Sequence, residues 1–203
     1  MNIGTHSAKR SMRRRGTSQN FASSSRSREY LMSDQVALNS PVPLDAAHDR
    51  STFDCGSAPL NDYVRKHALQ NHQNRSARTY VATRGCRVIG YYTLAAGSVD
   101  RATTPERVSK GLAAYPVPII LLARLAIDST EQGRGLGNGL LKDAFLRVTQ
   151  AAEIVGCRAL LVHAKDDSAK KYYEKFGFIP SPTHELHLYL LVKDILANCA
   201  ANK

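Results

Sequence analysis

No run of roughly eighteen apolar residues, the length a membrane-spanning helix needs, occurs in this chain. Its longest apolar stretch, 117-VPIILLA-123, is strand length. The four cysteines (Cys55, Cys86, Cys157 and Cys199) are scattered, with no Cys-x-x-Cys pair and no His/Cys cluster at zinc spacing. That pattern predicts no metal site, no membrane anchor, and reduced thiols in a cytoplasmic protein. The N-terminus lacks an apolar h-region, which excludes a secretory signal peptide. It is also nearly devoid of acid: residues 1–30 hold seven Lys/Arg against Glu29 alone, a net +6.

What is present fits one ordinary domain with a tail. The chain has 203 residues, 43% hydrophobic and 22% charged, so it can bury a core. Residues 1–34 are rich in Ser and Arg and poor in apolar side chains, which predicts a disordered basic tail. Three readings fit that tail: a mitochondrial transit peptide, a basic arm that touches nucleic acid, or a translation start at Met32, where the composition turns globular. The last is favoured. The domain is then expected over 35–203. After residue 30 the chain carries 21 basic and 16 acidic side chains, a net +5 that leans towards anionic partners.

Periodicity gives the order β, α, β, β, β, α, β, α, β. VALNSPVPL is a first strand interrupted by prolines. Ser57 followed by Pro59 marks a helix start, with the Ser57 hydroxyl as N-cap. Leu60, Tyr63, Val64, His67 and Ala68 then share one helical face. The stretches 79–83 and 87–99 read as strands joined by a tight turn at Arg84-Gly85-Cys86. A short helix is expected within 103–112. The segment 117–127 is apolar on both faces, so it sits centrally in a sheet. From Leu136 a helix runs to about Val155 and stops at Gly156. A buried strand over 158–164, a short helix over 167–176 closed by Gly177, and a last strand over 184–192 follow.

The stretch 131-EQGRGLGNGLL-141 crowds glycines against the start of the long helix. Glycines at a strand–helix turn let the backbone approach an anion, and the open N–H groups of the first turn hold it. Arg134 adds a full charge. The spacing of Gly133, Gly135 and Gly137 misses the Rossmann fingerprint, and no Gly-Lys-Ser/Thr exists for a Walker loop. The spacing Gln132-x-x-Gly135-x-Gly137 instead resembles the acyl-CoA signature of the Gcn5-related N-acetyltransferase (GNAT) superfamily. The stretch 169-AKKYYEKFGF-178 resembles the GNAT segment after the fifth strand. Together with 53-FDCGSAPLNDYVRKHA-68, 90-GYYTLAAGSV-99 and 123-ARLAIDSTEQGRGLG-137, it resembles the GNAT toxins of type II toxin–antitoxin modules (TacT/AtaT-like), over about residues 38–192.

The resemblance implies an α/β (α+β) GNAT fold: a mixed, mostly antiparallel sheet with a splay after the fourth strand, flanked by helices. It implies acetyl-CoA as co-substrate, bound by Leu125, Ala126 and Ile127 of the fourth strand and by Gln132, Gly133, Arg134, Gly135, Leu136, Gly137 and Asn138. It implies Tyr173 as the catalytic residue, the phenol that protonates the leaving sulfur, whereas Tyr172 reads as a core tyrosine. The expected reaction acetylates the α-amine of aminoacyl-tRNA and so stops translation. A ribbon–helix–helix antitoxin neutralises such toxins and carries them to operator DNA, and a homodimer is the family's usual state. An α-amine titrates near 7.7–8.0, so no strong general base is required; Asp128 reads as turn chemistry. Arg124 beside the catalytic strand is the first choice for reaching tRNA and Arg78 the second, among Arg65, Lys66, Arg75, Arg78, Arg84 and Arg124. Two rivals stand beside this reading: a GNAT acting on a small amine or protein amine, and a nucleic-acid-binding module with a vestigial acyl-CoA site.

Overall fold

The computed structural model describes residues 36–201. The tail expected over 1–34, and the start at Met32, lie outside the described residues. The strands are β1 (Leu38–Pro43), β2 (Arg78–Arg84), β3 (Arg87–Val99), β4 (Val117–Ile127), β5 (Ala159–His163), β6 (Ile179–Pro180) and β7 (His187–Leu191). They form one sheet in the order β1-β2-β3-β4-β5-β7-β6. Every strand pairing is antiparallel except β4 with β5. The prolines of β1 fall where a sheet tolerates them, on an edge strand with an irregular register between Asn39 and Val42.

Helix α1 packs on one face of the sheet. It begins at Ala58–Asp62, passes through a π-helical turn at Tyr63–His67 and resumes at Ala68–Gln73. Phe53, Tyr63, Val64 and Ala68 join Val81, Val88, Tyr91 and Ala126 in the core on that side. Two sequence expectations fail here. The Ser57 side chain makes no capping bond. Instead the Asn61 carboxamide accepts from the Cys55 N–H at 2.9 Å and donates to Asp54 at 2.7 Å. His67 leaves the buried face and is exposed. The wide turn inserts an extra residue, so Ala68 takes the inward position that ordinary helical spacing gives to residue 67.

The opposite face carries helix α3 (Leu136–Ile154), helix α4 (Asp167–Glu174) and helix α5 (Val192–Ala201). Leu140, Leu141, Ala144 and Val148 of α3 pack with Tyr173, Val192 and Ile195 over Ile89, Ile120, Leu122 and Leu160. Sequence periodicity placed α3 almost to the residue. It missed α5, reading Val192 as the end of a strand, because β7 runs into that helix without a break. A third apolar cluster joins Val117, Ile119, Leu161 and Tyr189 to Val108 of the short helix α2 (Glu106–Ser109).

One irregularity shapes the whole sheet. In the β3–β4 ladder Thr93 faces Arg124 while Leu94 faces Leu122, which leaves Ala123 unpaired as a bulge. The parallel pairing with β5 ends at the same place, with Leu122 opposite Val162. Beyond it, residues 124–127 pair with β3 alone, and the two strands part. The extra residue also reverses the alternation of side chains. Ile120 and Leu122 face α3 before the bulge; Leu125 and Ile127 do so after it.

Leu136 and Leu140 of helix α3 pack directly over Gly90 of the sheet. A Cβ there would lie 3.0 Å from Ile127 Cδ1, 3.1 Å from Leu140 Cδ1 and 3.3 Å from Leu136 Cδ2. Gly139, by contrast, has nothing within 4 Å of such a Cβ, so packing on the sheet does not require it. Two substitutions should therefore act in opposite directions. Gly90→Ala is expected to lose about 1–3 kcal/mol to overpacking. Gly139→Ala should gain up to about 1 kcal/mol of helix propensity. Urea denaturation of both variants checks the signs.

Candidate active site

The parted strands open a cleft of about 500 Å³. Its floor is β4 from Leu122 to Ile127. One wall comes from Cys55, Ser57 and Leu60, the other from Val162, His163, Lys165, Ser168, Ala169, Tyr172 and Tyr173, with Gln132 at one end. No acidic side chain lines it among the described residues.

A buried carboxylate fixes the wall next to α1. Asp128, 1% exposed, follows β4 directly. It accepts from the Asp54 N–H at 3.0 Å, the Thr130 N–H at 3.1 Å, the Thr130 hydroxyl at 2.7 Å and the Arg87 guanidinium at 3.1 Å. The Ser129 N–H donates back to the Asp54 carbonyl at 2.7 Å. FDCG and ARLAID, far apart in sequence, are thus halves of one clamp. Asp128 serves the turn, as expected. The Gln132 carboxamide continues the clamp, donating to the carbonyls of Ile127 (2.9 Å) and Cys55 (3.2 Å).

The glycine loop follows. Gly133 and Gly135 have φ of +76° and +81°, which only glycine adopts without strain. Gly135 is the N-cap of α3, no side chain caps the helix, and no acid lies in its first turn. The N–H groups of Leu136 and Gly137 therefore stand open at the positive end of a 19-residue helix. This suits a pyrophosphate, and the residues present fit acetyl-CoA on that ground. Arg134 lies 3.5 Å from Glu131, a carboxylate that Arg84 already holds at 2.7 Å. Asn138 uses its Oδ1 to accept from the Tyr172 hydroxyl at 3.1 Å.

Helix α4 presents the two tyrosines. Asp166 caps it, accepting from the Ala169 N–H at 2.8 Å. Tyr173 is 7% exposed, yet its edge reaches the cleft. No described residue hydrogen-bonds its hydroxyl. Burial, helped by the neighbouring Tyr172, pushes its pKa well above the ordinary phenol value. Tyr172 packs against the core as expected, but not only there. It is half-buried and lines the cleft, and its hydroxyl sits 3.6 Å from where a Gly137 Cβ would lie, so it ties α4 to the loop.

Of the sequence-predicted residues, the fold gathers Arg124, Leu125, Ala126, Ile127, Gln132 and Tyr173 around one cleft and sets residues 133–138 directly beyond its end. Arg78 falls outside the lining and reaches only the His72 carbonyl, at 3.5 Å. Sequence reading missed His163, Lys165 and Ser168, whose positions depend on how the end of β5 meets α4. Among the described residues no group of His, Cys, Asp and Glu could hold a metal, and no helix is long and apolar enough to cross a membrane.

Residues 75–180 match the family model for an acetyltransferase (GNAT) domain. A tRNA-acetylating toxin of Mycobacterium tuberculosis is 49% identical over 159 residues, covering 78% of this chain and 95% of that protein. The chain belongs to the GNAT acetyltransferase family. The solved structure of AtaT complexed with acetyl-methionyl-tRNAfMet is 33% identical, covers 79% of this chain and 98% of its own, and superposes with a TM-score of 0.74. A tyrosine-to-phenylalanine variant of AtaT, bound to the C-terminus of the antitoxin AtaR and to acetyl-CoA, is 34% identical with a TM-score of 0.67, over 78% and 95% of the two chains. The splayed mixed sheet is therefore that of a GNAT acetyltransferase, and acetyl-CoA is the co-substrate.

Beside the GNAT cleft three imidazoles pile up. His163 stacks on His187 with centroids 3.8 Å apart, and His184 lies 4.6 Å from His187. Burial lowers the pKa of His163 and His187; His184 lowers that of His163 further, and His163 and His184 together lower that of His187. The unfolded chain then binds more protons than the folded one below the ordinary value of 6.5. Stability should be complete above that value and fall as the pH drops through it towards the depressed folded pKa. Thermal melts between about pH 7.5 and about pH 5.5 should show Tm falling, and His187→Gln should flatten the slope. A slope that His187→Gln leaves intact would assign the acid sensitivity elsewhere.

Proposed function

We propose that this GNAT acetyltransferase is a toxin that moves the acetyl group of acetyl-CoA to the α-amine of aminoacyl-tRNA and thereby blocks translation. The observation that carries the reading is the cleft itself: a buried phenol stands over the parted end of β4, and the lining holds cations but no acid. A positive cleft suits a polyanionic acceptor and disfavours a cationic polyamine. The 49% identity to a tRNA-acetylating toxin points the same way.

Acetyl-CoA supplies the activated acetyl thioester. The backbone of Leu125, Ala126 and Ile127, freed from β5, offers N–H groups to the thioester carbonyl and the pantetheine amides. The loop from Gln132 to Asn138, opening α3 with Leu136 and Gly137, takes the pyrophosphate. The acceptor needs no enzymic base, because a free α-amine near pKa 7.7–8.0 is partly neutral at pH 7. The nitrogen, cationic after attack, loses its extra proton to water. As the C–S bond breaks, Tyr173, which keeps its proton across that range, delivers it to the departing sulfur and is reprotonated from solvent. Arg124, and at longer range Arg78, meet tRNA phosphates. A ribbon–helix–helix antitoxin neutralises the toxin and brings it to operator DNA; the toxin itself is a homodimer acting in the cytoplasm, where charged tRNA is found.

Labelled acetyl transfer onto charged against uncharged tRNA tests the reaction. Acetylation of polyamines or protein lysines, with charged tRNA untouched, would overturn it. Tyr173→Phe should lower kcat by about 10²–10⁴-fold and leave acetyl-CoA binding in place. The raised Tyr173 pKa also fixes the pH profile. kcat/KM should climb with pH as the amine loses its proton and then stay level to about pH 9.5, with no alkaline fall from the phenol.

A further inference from the structure

One of the two cations that line the cleft is held by a ring. Arg124 places its guanidinium 3.7 Å from the centroid of Tyr63. Among the described residues no carboxylate pairs with it. Several other arginines of the domain are neutralised: Arg84 pairs with Glu131, Arg87 with Asp128 and Arg147, which also lies over Tyr80, with Asp143, while Arg65 donates to the Phe53 carbonyl. A cation held by a carboxylate has most of its charge neutralised. One held on a ring keeps its charge and its hydrogen-bond donors for a ligand.

Two irregularities of the backbone make this contact. The Ala123 bulge reverses the alternation of β4, so Arg124 joins Ala126 on the side of α1 rather than that of α3. The π-helical turn begins at Tyr63. The Tyr63 ring stacks on Tyr91 at 6.2 Å with an interplanar angle of 25°. Its hydroxyl is buried with no hydrogen-bond partner among the described residues. A buried hydroxyl without a partner is a cost, so the ring is the useful part of this side chain.

We propose that Tyr63 is the positioning residue for Arg124, and that the ring-held guanidinium binds the phosphodiester next to the esterified ribose of the acceptor. This rests on the aminoacyl-tRNA reading above. Arg124 is the contact; Tyr63 acts through it. The cation thereby adds binding energy for the acceptor beside the freed N–H groups of β4, which continue the same strand.

The test is steady-state acetyl transfer by the full chain, with charged tRNA and salt varied, alongside calorimetry of acetyl-CoA binding. Arg124→Gln should raise KM for charged tRNA by about tenfold, with kcat at saturation little changed. It should also lower the slope of log KM against log salt by about 0.7–0.9, the share of one lost phosphate contact. Tyr63→Leu should shift both in the same direction, and Tyr63→Phe should restore them and raise Tm. The Kd for acetyl-CoA should hold in all three. An unchanged KM and slope in Arg124→Gln overturns the proposal. So does a Tyr63→Phe variant as impaired as Tyr63→Leu, which would make the hydroxyl the contact. Acetyl-CoA affinity falling in step with tRNA affinity would assign the cation to the phosphates of the coenzyme instead. A wild-type chain inactive on charged tRNA overturns the preceding reading, and this one with it, before any variant is made.

Discussion

One unpaired residue, Ala123, is the constraint on which the site depends. Strand alternation is strict, so a single insertion sends every later side chain to the opposite face. Ile120 and Leu122 seal the α3 side before it, and Leu125 and Ile127 after it, so the core continues across the defect. Arg124 and Ala126 are turned towards α1. The same insertion ends the pairing with β5, and a central strand is left with open backbone groups on one side. Such groups are costly to bury unpaired. Here they face the cleft lined by residues 122–127.

Charge is distributed by the same economy. The acids near the cleft are consumed in structure: Asp128 closes the turn after β4, and Glu131 holds Arg84. The glycine loop is acid-free in its first helical turn. What faces the opening is Arg124, Lys165 and the positive end of α3. The basic character of the cleft is therefore an effect of placement as well as of count, because Asp128 and Glu131 are buried and no acid joins Arg124 and Lys165 in its lining.

Much of this was legible in the chain. The glycine loop, the helix it opens and the central apolar strand follow from spacing alone, because helices and strands impose fixed periods on burial. What misled was local. His67 lies at helical spacing from Tyr63 and Val64, and only the π turn puts it outside. Ser57 has the look of a cap, yet Asn61 and Asp54 do the bonding. Gly90, in a strand, gives no local sign that Leu136 and Leu140 of the helix press on it. Tyr172 and Tyr173 are adjacent on one short helix, and periodicity does not separate their roles.

The sequence by itself determined most of the elements, the glycine turn that opens α3 and the family, because these rest on residues close together in the chain. The tertiary structure alone decided which distant segments become one site. The clamp between Asp54 and Asp128, the seat of Arg124 on Tyr63 and the burial of Tyr173 each depend on two elements meeting at a particular register. No local period encodes a register. It is set by the bulge in β4 and by the way two helical layers close on either side of it.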